Sequence, residues 1–264
     1  MMISDMLSTA GDYAITSIIQ FLIGILLSIP VYKFLSSHPK VVQTHFIQLG
    51  VISTLLGMLL PMGSFGVLPL YIAILCAGGS AIAFIPFLSS NLIFNMLIPY
   101  TEISFRWDLS LLRILSAFLI GILSLVVFKV LFKDDQKLIR KNMVDKFKLS
   151  YEKSGIFGIF STVINEVGLF LIVGVLLSAV RAFYISDALG AFLSTEGGGV
   201  VRDYLLENNA SNNPFFIAAA TIFNTIIDLT APAALFSFLR LRGVLLQYII
   251  IGCFCALLVS TLIF

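Results

Sequence analysis

Apolar runs of membrane-spanning length follow one another along the chain and are separated by short polar connectors. The clearest runs cover about residues 13–35, 109–132, 155–183 and 244–264. Each is close to the roughly 20 residues that a helix needs to cross the hydrocarbon core of a bilayer. The pattern therefore predicts an all-α, polytopic integral membrane protein.

One apolar stretch, Gly57–Asn95, does not read as a continuous helix because prolines, glycines and a Ser-Ser-Asn cluster interrupt it. It lies within residues 41–101, which contain no Asp, Glu, Lys or Arg. This length fits either three short crossings or one crossing and a helical hairpin that turns inside the membrane. Irregular backbone at membrane depth is tolerated only where protein or a water-filled cavity surrounds it, so the stretch indicates a transport pathway.

The composition agrees with a membrane protein, since 59% of the residues are hydrophobic and 11% are charged. The mean hydropathy is +1.06, whereas soluble domains carry about 25% charged residues. We therefore expect a single transmembrane permease domain over residues 1–264, built from about 7–9 transmembrane or re-entrant helices.

Basic residues concentrate in the connector 133–153, which holds seven of the sixteen Lys and Arg residues of the chain. Cytoplasmic loops are enriched in Lys and Arg, which explains the cluster without a role in binding nucleic acid or lipid. The same topology places Lys33 and Lys40 on the cytoplasmic side and the acidic region 184–213 outside. We expect a multi-pass protein of the bacterial cytoplasmic membrane that binds no nucleic acid.

Two halves of the chain resemble each other. The sequence LIGILLS at 22–28 is similar to IVGVLLS at 172–178, and each is followed by a connector and a segment that breaks before a proline. The breaks end at Pro69 and Pro232, and the topology makes the two copies enter the membrane from opposite sides. We therefore predict two inverted repeats with broken helices at mid-membrane, where transporters of this design bind their solute. Repeat 1 covers about residues 13–132 and repeat 2 about residues 155–264.

A broken helix leaves backbone amides and carbonyls unpaired, and its half-helix ends carry partial charges that can bind an ion or a polar solute. We expect the solute or ion pathway to be lined by the two breaks and by the hydroxyl and amide side chains beside them. The candidates are Pro61, Gly63, Ser64, Gly66, Pro69, Ser89, Ser90, Asn91, Asn95, Asn224, Thr225, Asp228, Thr230 and Pro232. For any single Ser or Thr, a hydrogen bond to its own helix is the alternative.

Two acids, Glu166 and Asp228, fall inside apolar runs. A charge at the bilayer centre costs at least about 2.5–3.5 kcal/mol, so such residues face a cavity or a partner and often mark ion pathways. Our hypothesis is that one or both couple transport to protons or Na⁺, or bind a cationic solute. The alternative is an ion pair with Arg181, Arg240 or Arg242.

Catalytic and metal-binding motifs are missing from the sequence: there is no nucleophile elbow, HExxH, phosphate-binding loop or dinucleotide-binding glycine pattern. The cysteines at 76, 253 and 255 lie in apolar runs and lack the spacing of a metal-binding pair. We therefore predict that the protein is not an enzyme and uses no metal and no cofactor.

The stretch Gly57–Asn95 resembles the predicted-permease family that includes the bacterial organoarsenical efflux permease ArsP and the YraQ-like permeases. That family carries a pattern like G-x-x-x-P-x-C-S-C-G-x-x-P, followed by a glycine and by an F-L-x-S segment with an asparagine after it. The matching positions here are Gly57, Pro61, Ser64, Gly66, Pro69, Gly79, Phe87, Leu88, Ser90 and Asn95. The resemblance implies a multi-span permease with two related halves.

The chain departs from the family at the two cysteines, where it has Gly63 and Phe65. Trivalent arsenicals bind thiolates, so arsenical efflux is not expected here. Asp228 and the Ser-Ser-Asn cluster favour a polar or cationic solute instead.

These observations together predict a membrane permease that moves a small polar or cationic solute by alternating access, driven by protons or Na⁺. A non-transporting membrane subunit that anchors a multi-protein complex is the alternative, and an intramembrane enzyme is a third. The expected partners are the lipid bilayer and a small solute or ion. The sequence leaves open a second copy of the chain or a partner subunit.

Overall fold

The computed structural model describes residues 2–42, 45–60, 62–96, 107–132, 135–154, 156–183 and 229–263. Over these ranges the chain is helical, apart from short connectors and one isolated antiparallel bridge between Ile139 and Leu239. The prediction of an all-α protein is confirmed. The helices are α1 (Met2–Ser37), α2 (Pro39–Val42), α3 (Phe46–Leu59), α4 (Gly63–Cys76), α5 (Ala81–Met96), α6 (Trp107–Leu131), α7 (Asp135–Leu138), α8 (Lys141–Lys153), α9 (Ile156–Phe183), α10 (Thr230–Ala233, continued by a 3₁₀ turn, Ala234–Ser237) and α11 (Leu241–Ile263).

Three of the described helices are long and apolar enough to cross a membrane, through Ala10–Ser37 of α1, Ile114–Leu131 of α6 and Ile156–Leu177 of α9. The helices of the uncharged stretch are shorter, with 14 residues in α3 and 14 in α4. At a rise of 1.5 Å per residue each reaches about 21 Å, which is less than the roughly 30 Å of a hydrocarbon core. Both α3 and α4 are therefore shorter than a helix that spans a bilayer of ordinary thickness.

Helices α3 and α4 form a hairpin whose two open ends lie at the same end of the bundle. At the start of α3, Lys129 Nζ lies 4.4 Å from the ring centroid of Phe46, and Lys129 belongs to the last turn of α6. At the end of α4, Cys76 Sγ contacts the carbonyl oxygen of Val144 in α8 at 3.7 Å. Both ends of the hairpin therefore lie beside the basic connector.

The tip of this hairpin reaches the middle of α1. A Cβ atom added at Gly63 would overlap the Gln20 carboxamide, and one added at Gly24 would overlap the backbone of Gly66. Residues 20 and 24 lie near the centre of the apolar segment of α1. The α3–α4 turn therefore lies at the level of the middle of this segment, and the choice between three short crossings and a re-entrant hairpin remains a prediction.

Helix α4 is almost fully enclosed in the described structure. All of its residues except Ser64 are buried, and α1, α5, α8 and α10 pack around it. In contrast, α1, α3, α6 and α9 expose many large apolar side chains on their outer faces. At the hairpin tip Met62 is buried, whereas Leu59 is 74% exposed, so protein encloses the α4 side of the tip and leaves the α3 side open.

The prolines interrupt the chain less than the sequence suggested. Pro69 lies inside α4 and Pro86 lies inside α5, and both helices continue through them. The prediction that the first broken segment extends to Pro69 is therefore wrong, because α4 begins at Gly63 and continues through Pro69. A proline removes one backbone hydrogen bond, and a buried helix held on several sides tolerates this loss.

The inverted repeats remain a prediction, although one geometric feature agrees with them. Helices α1 and α9 are antiparallel neighbours, since Tyr13 lies beside Gly174 while Tyr32 stacks on Tyr151, shortly before α9 begins. The two matched glycines also have similar neighbours. Gly24 contacts the first turn of α4, and Gly174 contacts Thr230, the first residue of α10.

Candidate functional site

The turn between α3 and α4 is held in a conformation that glycine favours. Leu60 is extended, with φ −93° and ψ 103°, and Gly63 has a φ of +61° at the start of α4. This left-handed conformation is unfavourable for residues with a Cβ atom. The carboxamide of Gln20 also occupies the position that a side chain at residue 63 would take. The glycine that replaces the family's first cysteine is therefore part of the geometry of the turn.

We expect Gly63→Ala to lower the stability of the protein by about 1–2 kcal/mol, because a left-handed backbone costs about that much for an L-residue. The displaced Gln20 side chain adds little, since its far end is flexible. Thermal unfolding in detergent is the measurement, and Gly252→Ala is the matched control, expected to be at least as stable as the parent protein. Gly252 lies within α11, has no positive φ, and a Cβ atom there meets nothing within 4 Å. Equal stability of Gly63→Ala and the parent protein would contradict this assignment.

The side-chain amide of Asn91, in α5, binds two carbonyl groups at the end of α3. Its Nδ2 donates to Gly57 O at 2.9 Å and to Leu60 O at 2.7 Å. The last carbonyls of a helix lack partners within the helix, so this amide stabilises the end of α3 where the chain turns. Asn91, a candidate pathway residue, thus acts directly on the break.

The neighbouring hydroxyl of Ser90 joins α5 to α3. Ser90 Oγ lies 2.9 Å from Thr54 O and 2.7 Å from Pro86 O, in its own helix. A Cβ atom added at Gly57 would overlap Ser90 Oγ and the Phe87 carbonyl. Ser90 therefore makes the hydrogen bond within its own helix that was considered as the alternative, to Pro86 O. It also contacts Thr54 O and so links α5 to α3.

Ser89 faces a polar residue that the sequence reasoning missed. Its Oγ contacts Ile85 O at 3.3 Å and accepts a long hydrogen bond from Gln247 Nε2 at 3.4 Å. Gln247 is 1% exposed, and its Oε1 has no hydrogen-bond partner among the described residues. Gln20 was missed as well. The sequence could have pointed to Gln20 and Gln247 because each is a polar amide side chain within an apolar run.

In the second half, Thr230 begins α10 and Pro232 lies inside it, and both residues are buried. A Cβ atom at Gly174 would lie 2.9 Å from Thr230 Oγ1 and 2.9 Å from Tyr13 Oη. Tyr248 of α11 donates a hydrogen bond to Leu229 O. Helix α10 packs against both α9 and α4. The helices that contain the two proline motifs are therefore in direct contact.

Several predicted pathway residues cannot be assigned to this contact. Pro61, Asn224, Thr225 and Asp228 lie outside the described residues, as does the side chain of Asn95. Of the remaining candidates, Gly63, Ser64, Gly66 and Pro69 are in the first half of α4. Ser89, Ser90 and Asn91 lie on α5.

Glu166 forms an ion pair with the basic connector. Its Oε1 lies 2.6 Å from Lys146 Nζ, and 21% of the glutamate side chain is exposed. A hydroxyl pair, Ser150 and Thr162 at 3.0 Å, also joins α8 to α9. Glu166 is therefore not an isolated charge, and its partner is a lysine of α8 rather than one of the three arginines considered from the sequence.

Among the described residues, no group of three or more His, Cys, Asp and Glu side chains is arranged to hold a metal ion. The thiols of Cys76 and Cys253 are both free. Cys76, at the end of α4, is buried against α8 and lies at the opposite end of α4 from the turn. No thiol of the described residues therefore stands at the turn.

The comparison with known families covers almost the whole chain. The family model of ArsP_1, described as a predicted permease, matches residues 3–264. Among curated proteins and among solved structures, nothing matches the chain. The family match includes both halves, with the α3–α4 turn in one and α10 in the other. The chain belongs to the ArsP_1 family of predicted permeases.

Proposed function

We propose that the protein moves a small polar or cationic solute across the cytoplasmic membrane by alternating access, with the solute bound where the start of α4 meets α10. The observation that supports this proposal is the start of α4 at Gly63, which is buried and lies against Gln20, near the middle of α1. A transporter needs such a site, at mid-membrane depth and between two halves that can rock against each other.

The groups around the turn suit a polar solute. The first amides of α4 point out of the helix start without partners in the helix and give it a partial positive charge. The Gln20 carboxamide lies beside this helix start. Its NH₂ group can donate a hydrogen bond to an acceptor group of the solute. Asn91 already binds two of the carbonyls on the α3 side, so those oxygens need no solute.

In this proposal the two acids have different roles. Asp228 directly precedes Leu229 and the buried α10, where a carboxylate would bind a cationic group or the coupling ion. Glu166 forms an ion pair with Lys146 and so links α9 to the basic connector rather than binding the solute. The coupling hypothesis therefore applies to Asp228 rather than to both acids.

Transport by proteoliposomes that contain the full chain tests the proposal. A panel of amines, quaternary ammonium ions, neutral polar solutes and anions is assayed for saturable uptake under an imposed proton or Na⁺ gradient. We expect uptake of a polar or cationic member, and we expect Asp228→Asn to lower its rate about tenfold, equivalent to about 1.4 kcal/mol. Glu166→Gln is the matched control, since it removes the same charge, and its rate should stay within about twofold.

Two results would contradict the proposal. Uptake that is unchanged in Asp228→Asn, in rate and in its dependence on the gradient, would remove the role of this carboxylate. A stable subunit that co-purifies with the chain, together with full function after both acids are replaced, would favour the membrane scaffold instead.

A further inference from the structure

An apolar groove of about 570 Å³ lies between the C-terminal part of α1 and α3. Every residue that lines it is apolar, including Val31 and Phe34 of α1 and Leu56 of α3. Two of its lining residues, Ile74 and Phe84, belong to the enclosed helices α4 and α5 and are buried. The groove therefore extends from the outer surface of α1 and α3 into the bundle.

The outer edge of the groove lies where lipid is expected. Phe34 is 54% exposed, Ile52 is 49% exposed and Leu56 is 42% exposed. Phe34 belongs to Ala10–Ser37, the apolar segment of α1 that can cross a membrane. An apolar cavity is not a favourable site for water. A hydrocarbon chain is the occupant that satisfies this lining at this depth.

Two exposed lysines are sequence neighbours of residues that line the groove. Lys33 directly precedes Phe34, and Lys40 directly precedes Val41, another lining residue, and both lysines are exposed. Neither forms an ion pair with a described residue. The chain contains no Asp or Glu from Tyr13 to Thr101, so no acid of this stretch can neutralise them.

Of the two acids on the neighbouring helix α8, Asp145 forms no ion pair with either lysine, and Glu152 has other partners. Glu152 accepts a hydrogen bond from the Tyr32 hydroxyl at 3.1 Å and lies 4.0 Å from Lys148. Tyr32 itself is buried and stacks on Tyr151, whereas Lys33 is exposed. The two lysines at the groove therefore keep their net positive charge.

We propose that this groove binds an anionic phospholipid, with an acyl chain along the apolar lining and the phosphate at Lys33 and Lys40. Basic residues at the cytoplasmic surface of a membrane protein attract anionic headgroups, and the predicted topology places both lysines on that side. Long lysine side chains can reach the headgroup region while their stems stay against apolar surface. The site is independent of the α4–α10 contact and does not depend on the proposed transport activity.

Native mass spectrometry of the purified full chain tests this site. The chain is titrated with phosphatidylglycerol and with phosphatidylcholine that has the same acyl chains. We expect tighter binding of phosphatidylglycerol, and we expect the double variant Lys33→Gln/Lys40→Gln to lose that preference. The expected loss is about fivefold per lysine. Lys137→Gln/Lys141→Gln, which removes two exposed charges from the connector, is the matched control and should retain the preference.

A second variant tests the groove itself. Leu56→Trp, at a lining residue of α3, fills part of the volume and should weaken the binding of both lipids. If Leu56→Trp does not give a monodisperse peak in size-exclusion chromatography, the lipid preference of Lys33→Gln/Lys40→Gln still tests the proposal. Both lysines are exposed, so their substitution should not disturb the fold. Equal phosphatidylglycerol binding by the parent protein and the Lys33/Lys40 variant would overturn the proposal. A polypeptide that covers the groove and prevents binding of either lipid would also overturn it.

Discussion

Gly24→Ala is expected to destabilise the protein by about 1–3 kcal/mol, the usual cost of inserting a methyl group into a fully packed position. The added Cβ atom would overlap the carbonyl oxygen, carbonyl carbon and Cα of Gly66. These are backbone atoms of an enclosed helix, so no side-chain rotation relieves the overlap. Helices α1 and α4 would have to separate along the contact that positions the hairpin tip. Small residues at such contacts are what allow two membrane helices to approach closely.

Two other glycines provide a graded control for this result. A Cβ atom at Gly11, also on α1, meets nothing within 4 Å, so Gly11→Ala should be neutral or stabilising by up to about 1 kcal/mol. At Gly174 the added atom would meet only the side chains of Thr230 and Tyr13, which can move, so the cost should be intermediate. Thermal unfolding of the three variants in one detergent gives the order. A Gly24→Ala protein as stable as Gly11→Ala would show that α1 and α4 do not pack as described.

The long helices could be predicted from the sequence because lipid-facing helices are apolar over their whole length. The runs 109–132 and 155–183 correspond closely to α6, Trp107–Leu131, and α9, Ile156–Phe183. The run at 13–35 lies inside α1, which begins earlier, at Met2, because helix formation does not require apolar residues. Periodicity alone therefore locates a span but not its ends.

The position of the break could be predicted only approximately. Pro61, Pro69 and Pro86 carry the same local signal, yet α3 ends at Leu59 and α4 begins at Gly63, while the chain stays helical through Pro69 and Pro86. What distinguishes the turn is Gly63 in a left-handed conformation, together with the Asn91 amide on the end of α3. The second of these contacts depends on tertiary structure, and propensity cannot reveal it.

Side-chain pairs between separate helices could not be predicted from the sequence either. Lys146 and Glu166 are 20 residues apart and Ser150 and Thr162 are 12 apart, which is the pattern of two helices that fold back on each other. The sequence supplied charged residues on both sides of residue 155 but no register between them. For the same reason Gln20 and Gln247 were not selected, since a single amide in an apolar run gains significance only from its neighbours.

Asn91→Leu is expected to destabilise the protein by about 1–3 kcal/mol, the cost of leaving one buried carbonyl without a hydrogen-bond partner. The substitution keeps a side chain of similar size but removes the amide from Gly57 O, whereas Leu60 O keeps its hydrogen bond from Met62 N at 2.8 Å. Because both carbonyls belong to the end of α3, the loss should act first at the turn. Hydrogen exchange measured by mass spectrometry should be faster in peptides that cover residues 57–66, and thermal unfolding in detergent should occur at a lower temperature.

Ser89→Ala is the matched control for this prediction. Ser89 is as deeply buried as Asn91 and lies two residues before it on α5, but its hydroxyl contacts only its own helix and a distant amide of α11. Its removal should cost less than about 1 kcal/mol, the typical net contribution of one hydrogen bond, and should leave exchange at the turn unchanged. Equal acceleration of hydrogen exchange in both variants would contradict the role of Asn91 and would mean that the turn is stabilised by the packing of α5 as a whole. Faster exchange in Asn91→Leu alone would show that the turn depends on this one amide, and any solute that binds there meets a backbone that α5 has already fixed.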